Sequence, residues 1–374
     1  MTKPILLLAI VTLLIYSTSS QATPPSAYKL QAITVSENLA HPWSLSFLPN
    51  NEMLVTERPG RLRLIDSAGK LSPAITNLPP IKADGQGGLL DVILHPNYEK
   101  TGWLYLSYAS ANKQGNGTEV ARAKLDRKRL RLTELEVIFR MQPKTSSGHH
   151  FGSRMRFDDK GYLYITLGDR GEKDAAQQLN DHRGKIIRLH EDGTIPSDNP
   201  FYKTEGALAE IYSYGHRNPQ GLSFHPTSNQ LWEHEHGPQG GDEVNIILGG
   251  KNYGWPTITY GVNYFFGTKI GQGTHAPTMQ HPIHYWIPKS IAPSGMSFYQ
   301  GNKFPLWNGH LFIGALRDEM LVRLEIQDNK VIEEEHLLKG ELGRIRDVKN
   351  GPDGYLYLLI DAPNGKVIRI QPAH

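Results

Sequence analysis

Short alternating strands, separated by polar turns, recur along the whole chain. An apolar residue, a turn of Pro, Asp, Asn or Gly, and a short strand are read at Phe47-Leu48-Pro49-Asn50-Asn51-Glu52-Met53-Leu54-Val55. The pattern returns at Phe157-Asp158-Asp159-Lys160-Gly161-Tyr162-Leu163-Tyr164-Ile165 and at Asn350-Gly351-Pro352-Asp353-Gly354-Tyr355-Leu356-Tyr357-Leu358. Looser copies start at Leu94, Phe224 and Phe298, which makes six in all, spaced 47 to 74 residues apart. A repeat of this length marks units that cannot bury both faces alone and must stack on their neighbours. The expected fold is all-β, a six-bladed β-propeller of four-stranded antiparallel blades.

Three copies are followed by glycine, a basic residue and a new strand: Gly60-Arg61-Leu62, Gly184-Lys185-Ile186 and Gly365-Lys366-Val367. The glycine is expected to turn a hairpin and the strand to pair outward. The last blade runs out of chain near Ile370, while Leu30-Gln31-Ala32-Ile33-Thr34-Val35 has no hairpin partner of its own. The N-terminal strand is therefore expected to close the last blade and cover the seam of the ring. The main helical candidate is the short polar stretch Asp174 to Asp181.

Composition narrows the function. The chain has 40 basic and 37 acidic residues, a formal charge of +3, and its basic residues are scattered. That lacks the clustered footprint of a nucleic-acid binder, so no nucleic-acid partner is expected. Lys3, an apolar run from Ile5 to Tyr16 and Ser20-Gln21-Ala22 read as a signal peptide cleaved after Ala22. The run falls short of the about 20 residues of a spanning helix, so no stable membrane insertion is expected after cleavage. Residues 1–22 are thus assigned to export into the periplasm or the medium, and 23–374 to one propeller domain. There is no cysteine, hence neither a disulfide framework nor thiolate chemistry.

In a propeller the innermost strands line a central channel, so residues at one end of them meet at one mouth. The six segments preceding the repeats are His41-Pro42-Trp43-Ser44, Gly85-Gln86-Gly87-Gly88-Leu89-Leu90-Asp91, Gly148-His149-His150-Phe151-Gly152-Ser153-Arg154, Tyr214-Gly215-His216-Arg217-Asn218-Pro219-Gln220-Gly221, Ala292-Pro293-Ser294-Gly295 and Arg344-Ile345-Arg346-Asp347. Any one such His or Arg is more often a solvated or structural channel residue. Their recurrence at equivalent positions points to a site for an anionic, oxygen-rich ligand. Gly85-Gln86-Gly87-Gly88 lacks the spacing of a dinucleotide fingerprint. His234 and His236 alternate on a strand, but no zinc helix accompanies them, and a structural role is the default. The turn Gly237-Pro238-Gln239-Gly240-Gly241-Asp242-Glu243 offers carbonyls and carboxylates of the hard kind that suit Ca²⁺, against the alternative of an ordinary acidic turn.

Taken together and in order, Gly85 to Asp91, His149 to Arg154, Tyr214 to Gly221, Glu235-His236-Gly237-Pro238 with Gly241-Asp242-Glu243, Lys251-Asn252-Tyr253-Gly254-Trp255-Pro256 and Arg344 to Val348 resemble the soluble aldose sugar dehydrogenases that use pyrroloquinoline quinone (PQQ). The resemblance spans nearly all of the chain after Ala22. It implies a six-bladed propeller with the quinone over the mouth, and oxidation of an aldose at C1 to the lactone. By position, His150 is the implied general base, Arg217 the group that stabilises charge on the reduced quinone, and Gln86, Arg217 and Asn218 the ligands of quinone and substrate oxygens. Arg344 and Arg346, flanking Ile345, are implied to clamp cofactor carboxylates. The carbonyls of Gly237 and Pro238 are implied to hold Ca²⁺ at the quinone, and Glu243 with the Tyr253 carbonyl a second, more structural Ca²⁺. Tyr264 and the loop Ala315-Leu316-Arg317 are implied to lie near the cofactor, with Arg317 standing where the family carries lysine. The implied partners are an aldose and an unidentified electron acceptor, in a monomer or a homodimer. A calcium-dependent lactone hydrolase expects a ring of carboxylates at the mouth, and a non-enzymatic carbohydrate-binding propeller would have no use for His150.

Overall fold

The computed structural model describes residues 27–373. The signal-peptide expectation falls outside these residues. They form six antiparallel sheets arranged as propeller blades, five of four strands and one of three. Blade 1 holds Pro42–Phe47, Met53–Glu57 and Arg61–Ile65. Blade 2 holds Leu89–Leu94, Trp103–Asn112, Gly115–Asp126 and Arg131–Arg140. Blade 3 holds Met155–Phe157, Leu163–Leu167, Lys185–Leu189 and Ile211–Tyr214. Blade 4 holds Pro219–Phe224, Leu231–Glu235, Asp242–Ile247 and His284–Trp286. Blade 5 holds Pro293–Phe298, Leu311–Ala315, Met320–Gln327 and Lys330–Leu337. Blade 6 holds Ile345–Asn350, Leu356–Ile360, Gly365–Pro372 and, on its outside, Leu30–Leu39.

Each inner strand touches the next, and Ile345–Asn350 returns to Pro42–Phe47, so the ring closes. The expected closure is present: Leu30 pairs with Pro372, Ala32 with Ile370 and Leu39 with Gly365. Blade 1 departs from the four-stranded pattern, because past Ile65 an isolated bridge to Leu71 and backbone hydrogen bonds from Ser72 to the Leu64 carbonyl and from Ile75 to the Leu62 carbonyl stand in place of a fourth strand before the chain crosses to blade 2. Pro73, Pro79 and Pro80 in that crossing lack the N–H that a further ladder needs. Gly60 and Gly184 sit at positive φ as hairpin residues do, whereas Gly365 lies inside its strand. The helical candidate shortens to a 3₁₀ turn, Lys173–Gln177, and a four-residue helix, Tyr98–Thr101, appears where no periodicity announced it.

Strand faces alternate, and their apolar residues fill the gaps between neighbouring blades. Trp232, Val244, Met296, Ile313 and Val322 join blades 4 and 5, and Leu54, Val92, Leu104 and Leu106 join blades 1 and 2. On the axis, the fully buried Arg154 donates from Nε to the Gln220 carbonyl at 2.9 Å and from Nη2 to the Arg346 carbonyl at 3.0 Å. It lies over the Trp43 ring at 4.0 Å and 3.1 Å from Asp347. One guanidinium thus ties blades 1, 3, 4 and 6 beneath the mouth.

Candidate active site

Many of the mouth residues come from two kinds of position. One lies just before an inner strand and the other just after the second strand, because antiparallel neighbours start and end at the same edge. His41, Gln86, His150, Arg217, Ala292 and Arg344 occupy the first kind, and Arg58, Asp169, His236, Leu316 and Asp361 the second. In five blades the inner strand is bulged at this edge, between Pro42 and Ser44, Leu89 and Val92, Pro219 and Gly221, Ser294 and Met296, and Ile345 and Asp347. A bulge re-aims the side chains beside it. Blade 3 has no such shift in its inner pair; its entry loop turns instead through His150 at φ 55° and Ser153 at φ 84°. A non-glycine residue held there costs on the order of 1–3 kcal/mol, a strain that clusters at functional sites. Gly152 between them is required by space as well as by its φ of 63°, since a Cβ would stand 2.7 Å from the Thr166 carbonyl oxygen.

His150 is fixed from two sides. Its backbone N–H donates to Gln86 Oε1 at 2.9 Å, and its Nδ1 lies 2.6 Å from Asp169 Oδ1. An ionised carboxylate only accepts, so the proton sits on Nδ1 and Nε2 carries the lone pair. Among the described residues Nε2 has no hydrogen-bond partner. Asp169 is almost fully buried and also accepts from the Gly171 N–H at 2.8 Å and from Trp255 Nε1 at 2.8 Å. Burial pushes the Asp169 carboxyl up, but the His150 hydrogen bond, the Gly171 N–H and the Arg217 charge outweigh it and hold it below the usual carboxylate value. For His150, burial disfavours the imidazolium and, with Arg217, outweighs the pull of Asp169, so its pKa falls below the ordinary 6.5. The imidazole is neutral at neutral pH.

Next to this pair the mouth opens into a cavity of about 710 Å³, whose wall carries Gln86, Phe151 and Gly152 but not His150, Asp169 or Arg217 themselves. Polar groups on its wall include Arg58, Gln86, Asn218, Gln220, Arg344 and Arg346, and Trp43, Leu90, Phe151, Leu316 and Ile360 supply flat apolar surface. Its acids are Glu319 and Asp361, and Asp361 is neutralised by Arg346 Nη2 at 2.6 Å and bonded by His41 Nδ1 at 2.8 Å. Arg344 donates only to the Leu316 carbonyl, at 3.0 Å, which leaves most of its fork free. Asn218 presents Oδ1 to the Gly152 N–H at 3.1 Å. Arg217 donates from Nη1 to the His236 carbonyl at 3.0 Å and lies 5.4 Å over the Trp255 ring. Size and donor set suit a planar polyanion of the dimensions of a tricyclic quinone tricarboxylate.

The calcium expectations fall on buried backbone. The carbonyl oxygens of Gly237 and Pro238 accept no hydrogen bond among the described residues, and neither does that of Tyr253. Asp242 shapes the turn, accepting from the Gly237 N–H at 2.9 Å, from Ser290 Oγ and from the Ile291 and Ala292 N–H groups. Burial raises the Asp242 carboxyl to about 6. Glu243, Tyr253, Glu235 and Gly237, with Arg217 and Trp255, line a void of about 10 Å³, the size of one water or one bare cation. Burial first, and then the neighbouring Glu235, push the Glu243 carboxyl well up. The donor set therefore fits a hard divalent ion.

Other sequence-derived residues stand differently. Ala315 and Ile345 are fully buried, so only their backbone can face a ligand. Arg344 precedes its strand, and the bulge between Ile345 and Asp347 replaces the plain alternation expected of Arg344 and Arg346. Arg317 is exposed, donates to the Ser290 carbonyl at 3.2 Å and is not on the cavity wall. Tyr264 is also off the wall, on a loop with the exposed Phe265 and Phe266. His234 and His236 are structural at Nε2, bonded to the Gly295 and Pro293 carbonyls. Sequence reasoning missed Asp169; the signal was Gly168-Asp169-Arg170-Gly171 directly after strand Leu163–Leu167, at the mouth edge of the blade that carries His150.

A closed propeller ring thus carries an oriented imidazole–carboxylate pair beside a cavity rich in arginine, an arrangement of an enzyme site. The family model for glucose/sorbosone dehydrogenases matches residues 39–369, and the chain belongs to that family. It is 46% identical over 340 residues to the aldose sugar dehydrogenase YliI of Escherichia coli K12, covering 90% of this chain and 91% of that one. The crystal structure of the soluble E. coli aldose sugar dehydrogenase in its apo-form superposes with a TM-score of 0.90 at 44% identity, over 92% of this chain and 100% of that one. The PQQ-bound aldose sugar dehydrogenase of Streptomyces coelicolor superposes with a TM-score of 0.77 at 27% identity, over 93% and 99%.

Proposed function

We propose that the chain is a PQQ- and Ca²⁺-dependent aldose dehydrogenase that oxidises a sugar at C1 to the lactone and passes the electrons to a separate acceptor. The observation that carries this reading is the neutral His150, held by buried Asp169 and bonded through its N–H to Gln86, which lines a cavity with Arg58 and Arg344 on its wall. Arg58, Arg344 and Arg346 would hold the carboxylates of the quinone, and Gln86, Asn218 and Arg217 its oxygens and those of the sugar. The Gly237 and Pro238 carbonyls would hold Ca²⁺ at the quinone, and Glu243 with the Tyr253 carbonyl a second ion. When bound, the cofactor supplies a two-electron acceptor for the hydride leaving C1, polarised by the metal.

His150 Nε2 takes the proton of the anomeric hydroxyl, so that loss of proton and hydride together turns the C1–OH carbon into a lactone carbonyl. Asp169 keeps the imidazole in the Nδ1–H form and stabilises the imidazolium once the proton arrives. Gln86 fixes the His150 backbone while its amide nitrogen stays free for ligand. Arg217 places a cation where negative charge grows. Trp43, Phe151 and Leu316 keep water off that charge, which strengthens it. The scarcity of free carboxylates on the wall speaks against lactone hydrolysis. The apolar run from Ile5 to Tyr16, followed by Ser20-Gln21-Ala22, supports a periplasmic or secreted location. Reconstitution of purified chain with PQQ and Ca²⁺, followed by aldose-dependent dye reduction, tests the proposal; activity with NAD alone would contradict it.

A further inference from the structure

Blade 4 carries a second polar cluster, on the face packed against blade 3. Leu231, Glu233 and Glu235 alternate onto that face, opposite Ile247, Asn245 and Glu243. The apolar end, Leu231 and Ile247, packs with Tyr164 and Ile186 of blade 3. Above it, where further apolar packing is the rule, stand two fully buried polar residues, Glu233 and Asn245. His216, fully buried as well, meets them from the loop between blades 3 and 4 and stacks on Tyr253 with ring centres 4.8 Å apart.

The ligand-bearing atoms of His216, Glu233 and Glu235 lie within 4.8 Å of one another. His216 Nδ1 is 3.5 Å from Glu235 Oε1. Three buried atoms in this cluster have no hydrogen-bond partner: His216 Nδ1, Glu233 Oε1 and Asn245 Oδ1. A buried polar group left bare is destabilising, and native proteins leave few such groups. The second ring nitrogen of His216 is already engaged, by Ser213 Oγ at 2.9 Å, as metal-ligating histidines are held through their far nitrogen. A Glu233 oxygen, His216 Nδ1 and the Asn245 amide oxygen each lack a partner beside the buried Glu235 carboxylate, and together they are a donor set that suits a cation.

We propose that His216, Glu233 and Glu235, with Asn245 beside them, form a buried site for a divalent transition-metal ion such as zinc. The nitrogen ligand sets it apart from the all-oxygen set at Glu243 and the Tyr253 carbonyl, since imidazole with carboxylate selects first-row transition metals over calcium. The site has a consequence for the mouth. Glu235 Oε2 accepts the Arg217 and Asn218 N–H groups, so an ion on its other oxygen fixes the loop that presents those two residues.

The inference does not depend on the quinone, and its test needs none. Chelator-stripped protein is dialysed against Zn²⁺ in the presence of excess Ca²⁺, and bound zinc is counted by elemental analysis. The expected result is about one zinc per chain, lost in Glu233→Gln and His216→Asn and retained in Glu243→Gln. Anomalous diffraction at the zinc edge on the unaltered protein locates the ion whether or not the variants fold. Density between His216 and Glu233 is the expected outcome. No bound zinc, zinc displaced by Ca²⁺, zinc that disappears with Glu243→Gln, or anomalous density elsewhere would each overturn the proposal.

Discussion

His150 Nδ1 stands 2.6 Å from Asp169 Oδ1, joining the entry loop of one blade's inner strand to the exit of its second strand. The pair has the logic of an oriented base: a buried carboxylate sets the tautomer, and burial plus Arg217 keep the ring neutral. Asp169→Asn removes both the orientation and the upward pull on the His150 pKa. Turnover is expected to fall by about 10²-fold or more, and His150→Ala to do the same. Because the His150 pKa lies below 6.5, the acid limb of kcat in the parent should lie below that pH. In Asp169→Asn it should move further toward acid, since the group that favoured the imidazolium is gone. A kcat–pH profile for both proteins checks the sign.

Two of the three cavity arginines, Arg344 and Arg346, should separate by experiment. Arg344 has one backbone partner and otherwise faces the cavity, so Arg344→Ala should raise the quinone concentration needed for half-activation by about tenfold to a hundredfold. Its melting temperature should stay near that of the parent. Arg346→Ala strips Asp361 of its 2.6 Å partner in a largely buried setting, and a broken buried pair costs about 3–5 kcal/mol. Thermal unfolding alongside quinone titration distinguishes the two.

Arg317 is expected to contribute little by comparison. Its guanidinium is exposed and tied to the Ser290 carbonyl, and exposed ionic contacts are worth about 0.2–1 kcal/mol. Arg317→Ala should therefore shift the quinone titration by no more than about fivefold, and Arg317→Lys should be tolerated.

Much of this site was legible in the residues. The repeats announced the inner strands, and reading the segment before each one singled out His150, Gln86, Arg217, Asn218 and Arg344, of which Gln86, Asn218 and Arg344 line the cavity. That rule sees one edge of each inner strand and is blind to its antiparallel neighbour, which ends at the same edge. Asp169, Arg58 and Asp361 arrive by that second route, and each looks like an ordinary turn residue from its local sequence. Blade 1 also escaped prediction, because its missing fourth strand is a matter of how the Pro-rich crossing packs. Trp255 reaches Asp169 across 86 residues, a contact with no local periodicity to betray it.

An acid-side stability change is expected at the junction of blades 4 and 5. Glu334 accepts from His284 Nε2 at 2.8 Å, Trp286 Nε1 at 2.9 Å and His336 Nε2 at 2.6 Å. Burial pushes its carboxyl up, but these three hydrogen bonds outweigh that and depress it strongly. A depressed carboxylate contributes stability that is present above the ordinary value of 4.5 and lost as pH falls through the folded value. Glu334→Gln should thus cost about 1–3 kcal/mol at neutral pH. Denaturant unfolding at stepped pH should show the gap between parent and variant closing in acid.

The central claim is that this mouth binds PQQ with Ca²⁺ and oxidises aldoses through His150. The most direct test titrates chelator-treated protein with PQQ at saturating Ca²⁺, in the presence of an aldose and an artificial electron acceptor, for the parent and for His150→Ala. The account predicts no activity without both additions, saturable activity with them, and a His150→Ala variant that still binds the quinone but has lost about 10²-fold or more of its turnover. A parent that binds no quinone under these conditions, or a His150→Ala variant that turns over at the parental rate, would contradict it.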